Sequence, residues 1–336
     1  MHSDEHFMRR ALALAEQGRY SVSPNPMVGC VIVRDGQVIA EGWHRRAGEA
    51  HAETEALRNC SDPKRATMYV TLEPCAHHGR TPPCVDAVIA AGLQKVVIAM
   101  ADPHEVVDGR GVAKLREAGI EVTLGLLEAE ARRLNEVFLW SVTQKMPFVV
   151  LKAGMTVDGK LATVTRESRW ITSQAAREAS LKLREEHDAI LVGGGTVAAD
   201  NPRLTRRLGL GNAVAGWTRV VLDKDRVVPP HAHLLTDGGR TRHITEEVDL
   251  EQLLRDLYQE GIRSLLVEGG ALVHAEFIRR RLWQKMVLFV APMIVGGGEA
   301  PSIFSGEAVT RLTEAYRFRF DRAEFVGGDL MITAYP

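Results

Sequence analysis

Three side chains able to bind a soft divalent metal lie within one stretch of the chain. His51 opens the run His51-Ala52-Glu53, Cys75 follows Pro74, and Cys84 comes after eight intervening residues. One imidazole and two thiolates form a donor set for zinc, which takes nitrogen and sulfur tetrahedrally. Two thiolates favour zinc over harder divalent ions. Three protein ligands leave a fourth position open, and water held there loses a proton near neutral pH. Glu53 is close enough in sequence to His51 to reach that water without being a ligand. A carboxylate so placed takes the proton and passes it to a leaving amine.

His-x-Glu followed by Pro-Cys and a second Cys is the order found in zinc deaminases. The common form separates the two cysteines by two residues, whereas here the spacer is Ala76-His77-His78-Gly79-Arg80-Thr81-Pro82-Pro83. Rich in His and Arg and stiffened by two prolines, it reads as a substrate-binding loop set between two ligands. The flanking residues supply the elements. Residues 51–57 (HAETEAL) read as a helix start, 66–72 (ATMYVTL) as a strand running into the cysteine turn, and the run from Cys84 (CVDAVIAAG) as a second helix. Helix starts favour thiolate over thiol. A zinc-stabilised binding protein has no use for an acid beside an open coordination position, so Glu53 separates the enzymatic reading from the structural one.

With 336 residues the chain predicts two domains of ordinary size. Its formal net charge of -1 argues against a general binder of nucleic acid or anionic membranes, though not against a local basic pocket. No apolar run approaches membrane-spanning length, and the first residues mix acids and bases without a long apolar core, so neither a membrane span nor a signal peptide is expected. Four cysteines are too few for a disulfide scaffold. Two are assigned to metal, Cys30 lies in the apolar run VGCVIV as a small core residue, and Cys60 has no assigned role. A reduced cytoplasmic compartment is the expected location.

The elements that position the metal residues come next. Residues 4–18 space Phe7, Met8, Ala11, Leu12, Leu14 and Ala15 as one face of a helix. Ser23-Pro24-Asn25-Pro26 is a rigid turn presenting one amide. Residues 28–33 and 37–43 pair as a hairpin across Asp35-Gly36, with His44-Arg45-Arg46 at the strand end. Strands at 95–100 and 120–123 and helices at 111–118 and 128–144 complete a three-layer α/β/α sandwich. Lys145-Met146-Pro147 marks a boundary, since proline disfavours helix at the residue before it. The expected domains are therefore residues 1–145 and 146–336.

The second half alternates strands (148–153, 189–192, 218–222, 264–267, 285–290) with helices (173–184, 250–259, 271–280), and closes with strands near 318–326 and 329–334. Three strand ends run into glycines: Gly193-Gly194-Gly195, Gly269-Gly270 and Gly296-Gly297-Gly298. Glycine lets backbone amides approach phosphate, and α/β sheets bind ligands beyond the carboxyl ends of their strands. A nucleotide with several phosphates is the expectation. Residues 193–198 formally fit a dinucleotide fingerprint, but Asn201-Pro202 interrupts the chain before a full crossover helix. Arg184, Arg206 and Arg207 are candidates for a substrate phosphate.

At this point the chain resembles the bifunctional riboflavin-biosynthesis deaminase/reductase family over essentially its whole length. The resemblance rests on PNPMVGCVIV (24–33), HAE (51–53), TLEPCAHHGRTPPC (71–84), LKAGMTVDGK (151–160), SRWIT (168–172), GTVAADNPRLTRR (195–207) and VEGG (267–270). It implies a cytidine-deaminase-like first domain and a dihydrofolate-reductase-like α/β second domain. The implied reactions are zinc-dependent deamination of a phosphoribosylaminopyrimidine, then NADPH-dependent reduction of its ribosyl group to ribityl. By match to the family's motifs, Asn25, His44, His77 and Arg80 hold the deaminase substrate. Gly154, Trp170, Thr196, Asp200 and Gly270 are implied cofactor positions. Ser168, Arg184, Leu204, Arg207 and Glu268 are implied reductase substrate positions. Lys224, after the strand TRVVLD, could pair the cofactor 2′-phosphate and favour NADPH over NADH. A small-molecule substrate and self-association, as a homodimer through the reductase sheet, are further expectations. The competing reading is a zinc deaminase of another amino-pyrimidine or purine nucleotide, joined to a nucleotide-binding domain that is not a reductase.

Overall fold

In the computed structural model, residues 3–76, 83–103, 109–210, 216–306 and 308–336 are described. The chain divides into two compact units between Lys145 and Met146.

The first unit orders its elements as α1 (Asp4–Glu16), β1 (Gly29–Arg34), β2 (Gln37–Trp43), α2 (Ala52–Arg58), β3 (Thr67–Val70), α3 (Cys84–Ala90), β4 (Lys95–Ile98), α4 (Arg110–Glu117), β5 (Glu121–Leu124), α5 (Glu128–Leu134) and α6 (Glu136–Gln144). Its five-stranded sheet runs β2-β1-β3-β4-β5. β1 is antiparallel to both neighbours, and β3, β4 and β5 are parallel. Glycine marks where helices press on the two faces. A Cβ on Gly29 would lie 2.0 Å from the Ala11 carbonyl oxygen, so α1 covers that face. Gly42 pairs with Cys30, the next residue along β1, and successive strand residues face opposite ways. A Cβ on Gly42 would lie 2.4 Å from the Ala56 amide nitrogen and 2.6 Å from the Ala52 carbonyl oxygen, so α2 covers the other face. The three layers follow. Both helices sit close enough that only hydrogen fits beneath them.

The expected single helix at 128–144 is two helices. Asn135 leaves helical geometry between them because its side chain is committed elsewhere. Its Oδ1 accepts from the Met27 amide at 2.8 Å and its Nδ2 donates to the Met27 carbonyl at 2.9 Å. That pair fixes the turn carrying Asn25, a long-range contact that no local pattern reveals.

The second unit comprises β6 (Phe148–Thr156), α7 (Gln174–Glu186), β7 (Ala189–Gly193), α8 (Gly194–Asp200), β8 (Thr218–Leu222), α9 (His233–Thr236), β9 (Thr241–Ile244), α10 (Leu250–Gln259), β10 (Ser264–Val267), α11 (Ala271–Arg279), β11 (Lys285–Ala291), a 3-10 turn (Leu312–Glu314), β12 (Arg319–Val326) and β13 (Asp329–Tyr335). The sheet order is β12-β13-β11-β6-β10-β7-β8-β9. The six strands from β11 to β9 are parallel, with β13 and β12 antiparallel at one edge. Every residue of β7 and β10 is buried, as expected of strands covered on both faces. From β7 the chain moves outward to β9, then returns to insert β10 beside β6, and a reversal of that kind opens a crevice at the carboxyl ends. α8 has seven residues and ends at Asn201, whose φ of 41° is left-handed, so the Asn201-Pro202 interruption falls where the sequence places it. No helix among the described residues is long and apolar enough to cross a membrane.

Gly42→Ala tests the close approach of α2. The added methyl meets backbone atoms that move only if the helix moves. A loss of about 1–3 kcal/mol in unfolding free energy is expected, together with weakened metal retention. Chemical denaturation and metal content after dialysis check this, and wild-type values for both would contradict the packing described.

Candidate active sites

His51 is the residue before α2, Cys75 lies in the turn after β3, and Cys84 is the first residue of α3. Three elements thus deliver three donors to one point. His51 Nδ1 is 3.2 Å from Cys84 Sγ and 3.6 Å from Cys75 Sγ, and all three donor atoms lie within 4.8 Å of one another. Ligands on a tetrahedral zinc with bonds of 2.0–2.3 Å stand about 3.5–4 Å apart, so the cluster fits zinc in both donor type and spacing. The α3 amide at Cys84 donates to Cys75 Sγ at 3.3 Å, so the helix start serves the other cysteine's sulfur. The Cys84 thiol and the His51 imidazole hold Cys75 down to about 4, while donation to Cys75 pushes Cys84 up. Thr54 Oγ1 approaches Cys84 Sγ at 3.8 Å.

Glu53 is 4% exposed on the first turn of α2. Burial raises its pKa to about 7, against the opposing pull of His51. Asn25 and His44 meet directly, Nδ2 to Nε2 at 3.0 Å, and His44 Nδ1 lies 3.0 Å from the Ala50 carbonyl. A carbonyl only accepts, so Nδ1 carries a hydrogen. Burial lowers the His44 pKa and keeps the ring neutral, which leaves Nε2 as an acceptor. Asn25 must therefore turn its NH2 toward His44, and its Oδ1 is left for other partners. His77 and Arg80 lie outside the described residues.

Glu73, one residue before Pro74-Cys75, carries no role in the sequence reading. It is 3% exposed, and its carboxylate accepts from four backbone amides: Asp102 at 3.3 Å, Gly109 at 3.2 Å, Gly111 at 2.8 Å and Val112 at 3.0 Å. It fastens the start of α4 beneath the cysteine turn. A Cβ on Gly111 would lie 2.2 Å from the Pro74 carbonyl, which shows how close that contact is. The sequence signal was an acid at a position that pattern alone gives no reason to bury.

In the second unit six of the expected residues meet as three pairs. Arg184 Nε and Nη2 donate to the two oxygens of Glu268 at 2.8 and 2.9 Å, and Lys152 Nζ lies 3.6 Å from the same carboxylate. Lys152 belongs to the LKAGMTVDGK motif without an expected role, and its place on β6 beside β10 brings it in. Thr196 and Gly270 are neighbours, since a Cβ on Gly270 would sit 3.4 Å from Thr196 Oγ1. Ser168 Oγ donates to Asp200 Oδ1 at 3.3 Å. Gly154 lies on β6, where a Cβ would be 3.0 Å from Thr172 Cγ2. Trp170 is 66% exposed with the Arg177 guanidinium 4.5 Å from its ring. Lys224 is exposed just beyond β8 and Arg207 is exposed near the end of α7. Leu204 is 3% exposed, its side chain in an apolar cluster and its carbonyl accepting from Trp217 Nε1.

Two of the glycine turns can approach a ligand. Gly195 has open space where its Cβ would be, and Gly270 opens α11. The third is occupied from within. Asp158 accepts from the amides of Gly296 at 2.7 Å and Val295 at 3.3 Å, so an internal carboxylate already serves the Gly296 amide that a phosphate would need.

Comparison with known proteins defines the class and then the family. Residues 1–100 match the family model described as the cytidine and deoxycytidylate deaminase zinc-binding region, and residues 147–332 match the RibD C-terminal domain. The riboflavin biosynthesis protein RibD of Bacillus amyloliquefaciens is 40% identical over 359 residues, covering 99% of this chain and 96% of that protein. RibD of Escherichia coli strain K12 is 39% identical, covering 98% of each. Two solved structures superpose with TM-scores of 0.90, each covering 99% of this chain and 98% of its own. One is RibD of Acinetobacter baumannii, 37% identical. The other is a diaminohydroxyphosphoribosylaminopyrimidine deaminase/5-amino-6-(5-phosphoribosylamino)uracil reductase of Thermotoga maritima, 38% identical. The fold and sites are those of a zinc-binding deaminase joined to a reductase. The chain belongs to the RibD family, and its two activities are a deaminase and an NADPH-using oxidoreductase of riboflavin biosynthesis.

Buried charge in the reductase unit predicts its acid sensitivity. Burial alone would raise Glu268, but Lys152 and Arg184 override it and hold the carboxyl at about 2. Burial lowers both His187 and His274 to about 4. All three pKa values lie below those of the unfolded chain, near 4.3 for Glu and 6.5 for His. The unfolded chain therefore takes up protons first as pH falls, and the stability these groups contribute at neutral pH is lost in two stages. The histidine stage runs from pH 6.5 through about 4 and the Glu268 stage from about 4.5 through about 2, each on the order of 3 kcal/mol per group. Amide protection factors in β7 and β10, taken against the intrinsic exchange rate at each pH, should fall across both windows. Glu268→Gln should be less stable throughout and should lack the lower stage. Protection factors unchanged between pH 7 and 4 would contradict this account.

Proposed function

We propose that residues 1–145 hydrolytically deaminate 2,5-diamino-6-(5-phosphoribosylamino)pyrimidin-4(3H)-one. Residues 146–336 then reduce the ribosyl group of 5-amino-6-(5-phosphoribosylamino)uracil to ribityl with NADPH. The observation that carries the reading is the convergence of His51, Cys75 and Cys84 on one point with the buried carboxylic acid of Glu53 on the adjoining turn. Those three side chains would hold zinc, which would supply Lewis acidity at the reacting water. Water adds to the ring carbon bearing the amino group, and that carbon's bond to nitrogen breaks. Glu53 receives the water's proton and delivers it to the departing nitrogen, which leaves as ammonia. Asn25, oriented by His44, offers its Oδ1 to a donor on the substrate. His77 and Arg80 are assigned to the substrate phosphate by motif.

In the reductase, Ser168, Arg184, Leu204, Arg207 and Glu268 are assigned to the ribosyl phosphate substrate. Gly154, Trp170, Thr196, Asp200, Lys224 and Gly270 are assigned to NADPH, which supplies the reducing equivalent. Leu204 can contribute only through its backbone, because its side chain is in the core. The enzyme is placed in the cytoplasm. A homodimer through the reductase sheet is supported by Phe320 and Phe325, 68% and 81% exposed on the edge strand β12.

Glu53→Gln should lower ammonia release by roughly 10²–10⁴-fold. Reduction of separately supplied aminouracil substrate should remain at the wild-type rate. Removing metal with a chelator should produce the same split, and zinc should restore deamination. Ammonia release from the diaminopyrimidinone and NADPH oxidation are followed together. No ammonia from zinc-loaded wild type would overturn the assignment, and undiminished release from the Glu53 variant would remove that residue from the mechanism.

A further inference from the structure

The segment after α8 carries two of the assigned reductase substrate positions, Leu204 and Arg207, yet residues 203–206 belong to no helix or strand. Leu204 has a φ of 48°, a left-handed conformation that a leucine rarely adopts. Such strain persists only where the surroundings over-determine it. The surroundings here are specific. Arg219, 2% exposed, donates to the Arg203 carbonyl at 2.9 Å, and Trp217 Nε1 donates to the Leu204 carbonyl at 2.7 Å.

The next residues make an exchange with the end of α7. The Arg206 guanidinium lies 4.8 Å from the Trp217 ring, and its Nε donates to the Arg184 carbonyl at 3.1 Å. Its Nη2 donates to the His187 carbonyl. Carbonyls at a helix end lack helical partners, and a cation is favoured there. In the opposite direction, the Glu185 carboxylate, on a residue 2% exposed, accepts from the amides of Arg207 at 3.1 Å and Leu208 at 2.9 Å. A loop side chain serves the helix and a helix side chain serves the loop. Arg184, between these contacts in sequence, directs its own guanidinium at Glu268. Arg207 has a fixed backbone and an exposed side chain that makes no ion pair with the described residues.

We propose that Glu185 and Arg206 are positioning residues for the reductase substrate. Their reciprocal clamp sets the guanidinium groups of Arg184 and Arg207 at a fixed separation for a phosphate-bearing sugar. Neither Glu185 nor Arg206 touches the substrate. The inference rests on the assignment of Arg184 and Arg207 to that substrate.

The test uses the full chain, whose deaminase supplies an internal control. KM for the aminouracil ribosyl phosphate, KM for NADPH, kcat, ammonia release and melting temperature are measured for E185M, E185Q, R206M, R206K and R207A. Glu185→Met removes the accepting oxygen and should raise the substrate KM roughly tenfold. Glu185→Gln keeps that oxygen and should recover most of the effect. R206M should match E185M, and R206K, which keeps the charge but cannot reach both carbonyls, should fall between R206M and wild type. NADPH KM and ammonia release should be unchanged in all five. In an R207A background, E185M should add nothing further, because the side chain it positions is gone. A lower melting temperature with substrate KM unchanged in E185M and R206M would make the clamp merely structural and overturn the proposal. An unchanged KM in R207A would instead overturn the assignment of Arg207, a separate failure.

Discussion

A carboxylate removed from water must find donors, and the donors that this chain offers are mostly its own backbone amides. Glu73 gathers four of them, and in doing so fastens Asp102 and the start of α4 under the turn that presents Cys75. Glu185 takes two from the segment that carries Arg207. Asp223, 3% exposed, takes two beyond β8, and the exposed Asp158 takes two from the Gly296 turn in the same pattern. In each case the acid lies at or near the end of a strand or helix, and the amides belong to a loop or, for Glu73, partly to the first turn of α4. The rigid elements thereby place loops that carry or flank the chemistry. Glu268 differs, because its partners are the cations Lys152 and Arg184.

Close approach is the second constraint. In the deaminase unit Gly29 and Gly42 let α1 and α2 rest directly on the sheet, and Gly111 lets α4 touch the Pro74 carbonyl. A metal site built from three separate elements tolerates little error, since zinc bonds vary by only tenths of an ångström. Backbone packed on backbone is stiffer than side chain packed on side chain. The two glycines of the sheet therefore bear on the metal geometry without coming near it. Asn135 acts in the same way on the other side, breaking a helix to hold Met27 and with it the turn of Asn25.

Much of this was legible in the chain. The spacing of His51, Glu53, Cys75 and Cys84 predicted the donor set because zinc chemistry demands those types in that order, whatever surrounds them. Most strands and helices were legible because burial imposes periods of 2 and 3.6 on apolar residues. The boundary near Lys145 followed from Pro147. Contacts made across long separations were not legible. Asn135 meets Met27 across 108 residues and Arg184 meets Glu268 across 84, and no local pattern encodes either. The helix break at Asn135 and the inclusion of Lys152 beside Glu268 followed from those contacts.

By itself, then, the sequence determined the kinds of atoms available and the elements that present them: a nitrogen and two sulfurs for metal, an acid beside them, glycines at strand ends, arginines near a helix end. Only the tertiary structure decided which of those groups remain free to act. Leu204 passed into the core, the Gly296 amide was taken by Asp158, Arg206 was committed to the end of α7, and Arg207 was left exposed. The physical reason is that availability is a competition. Each polar group goes to the partner that relieves its burial, and that partner is fixed by the fold rather than by neighbours in the chain.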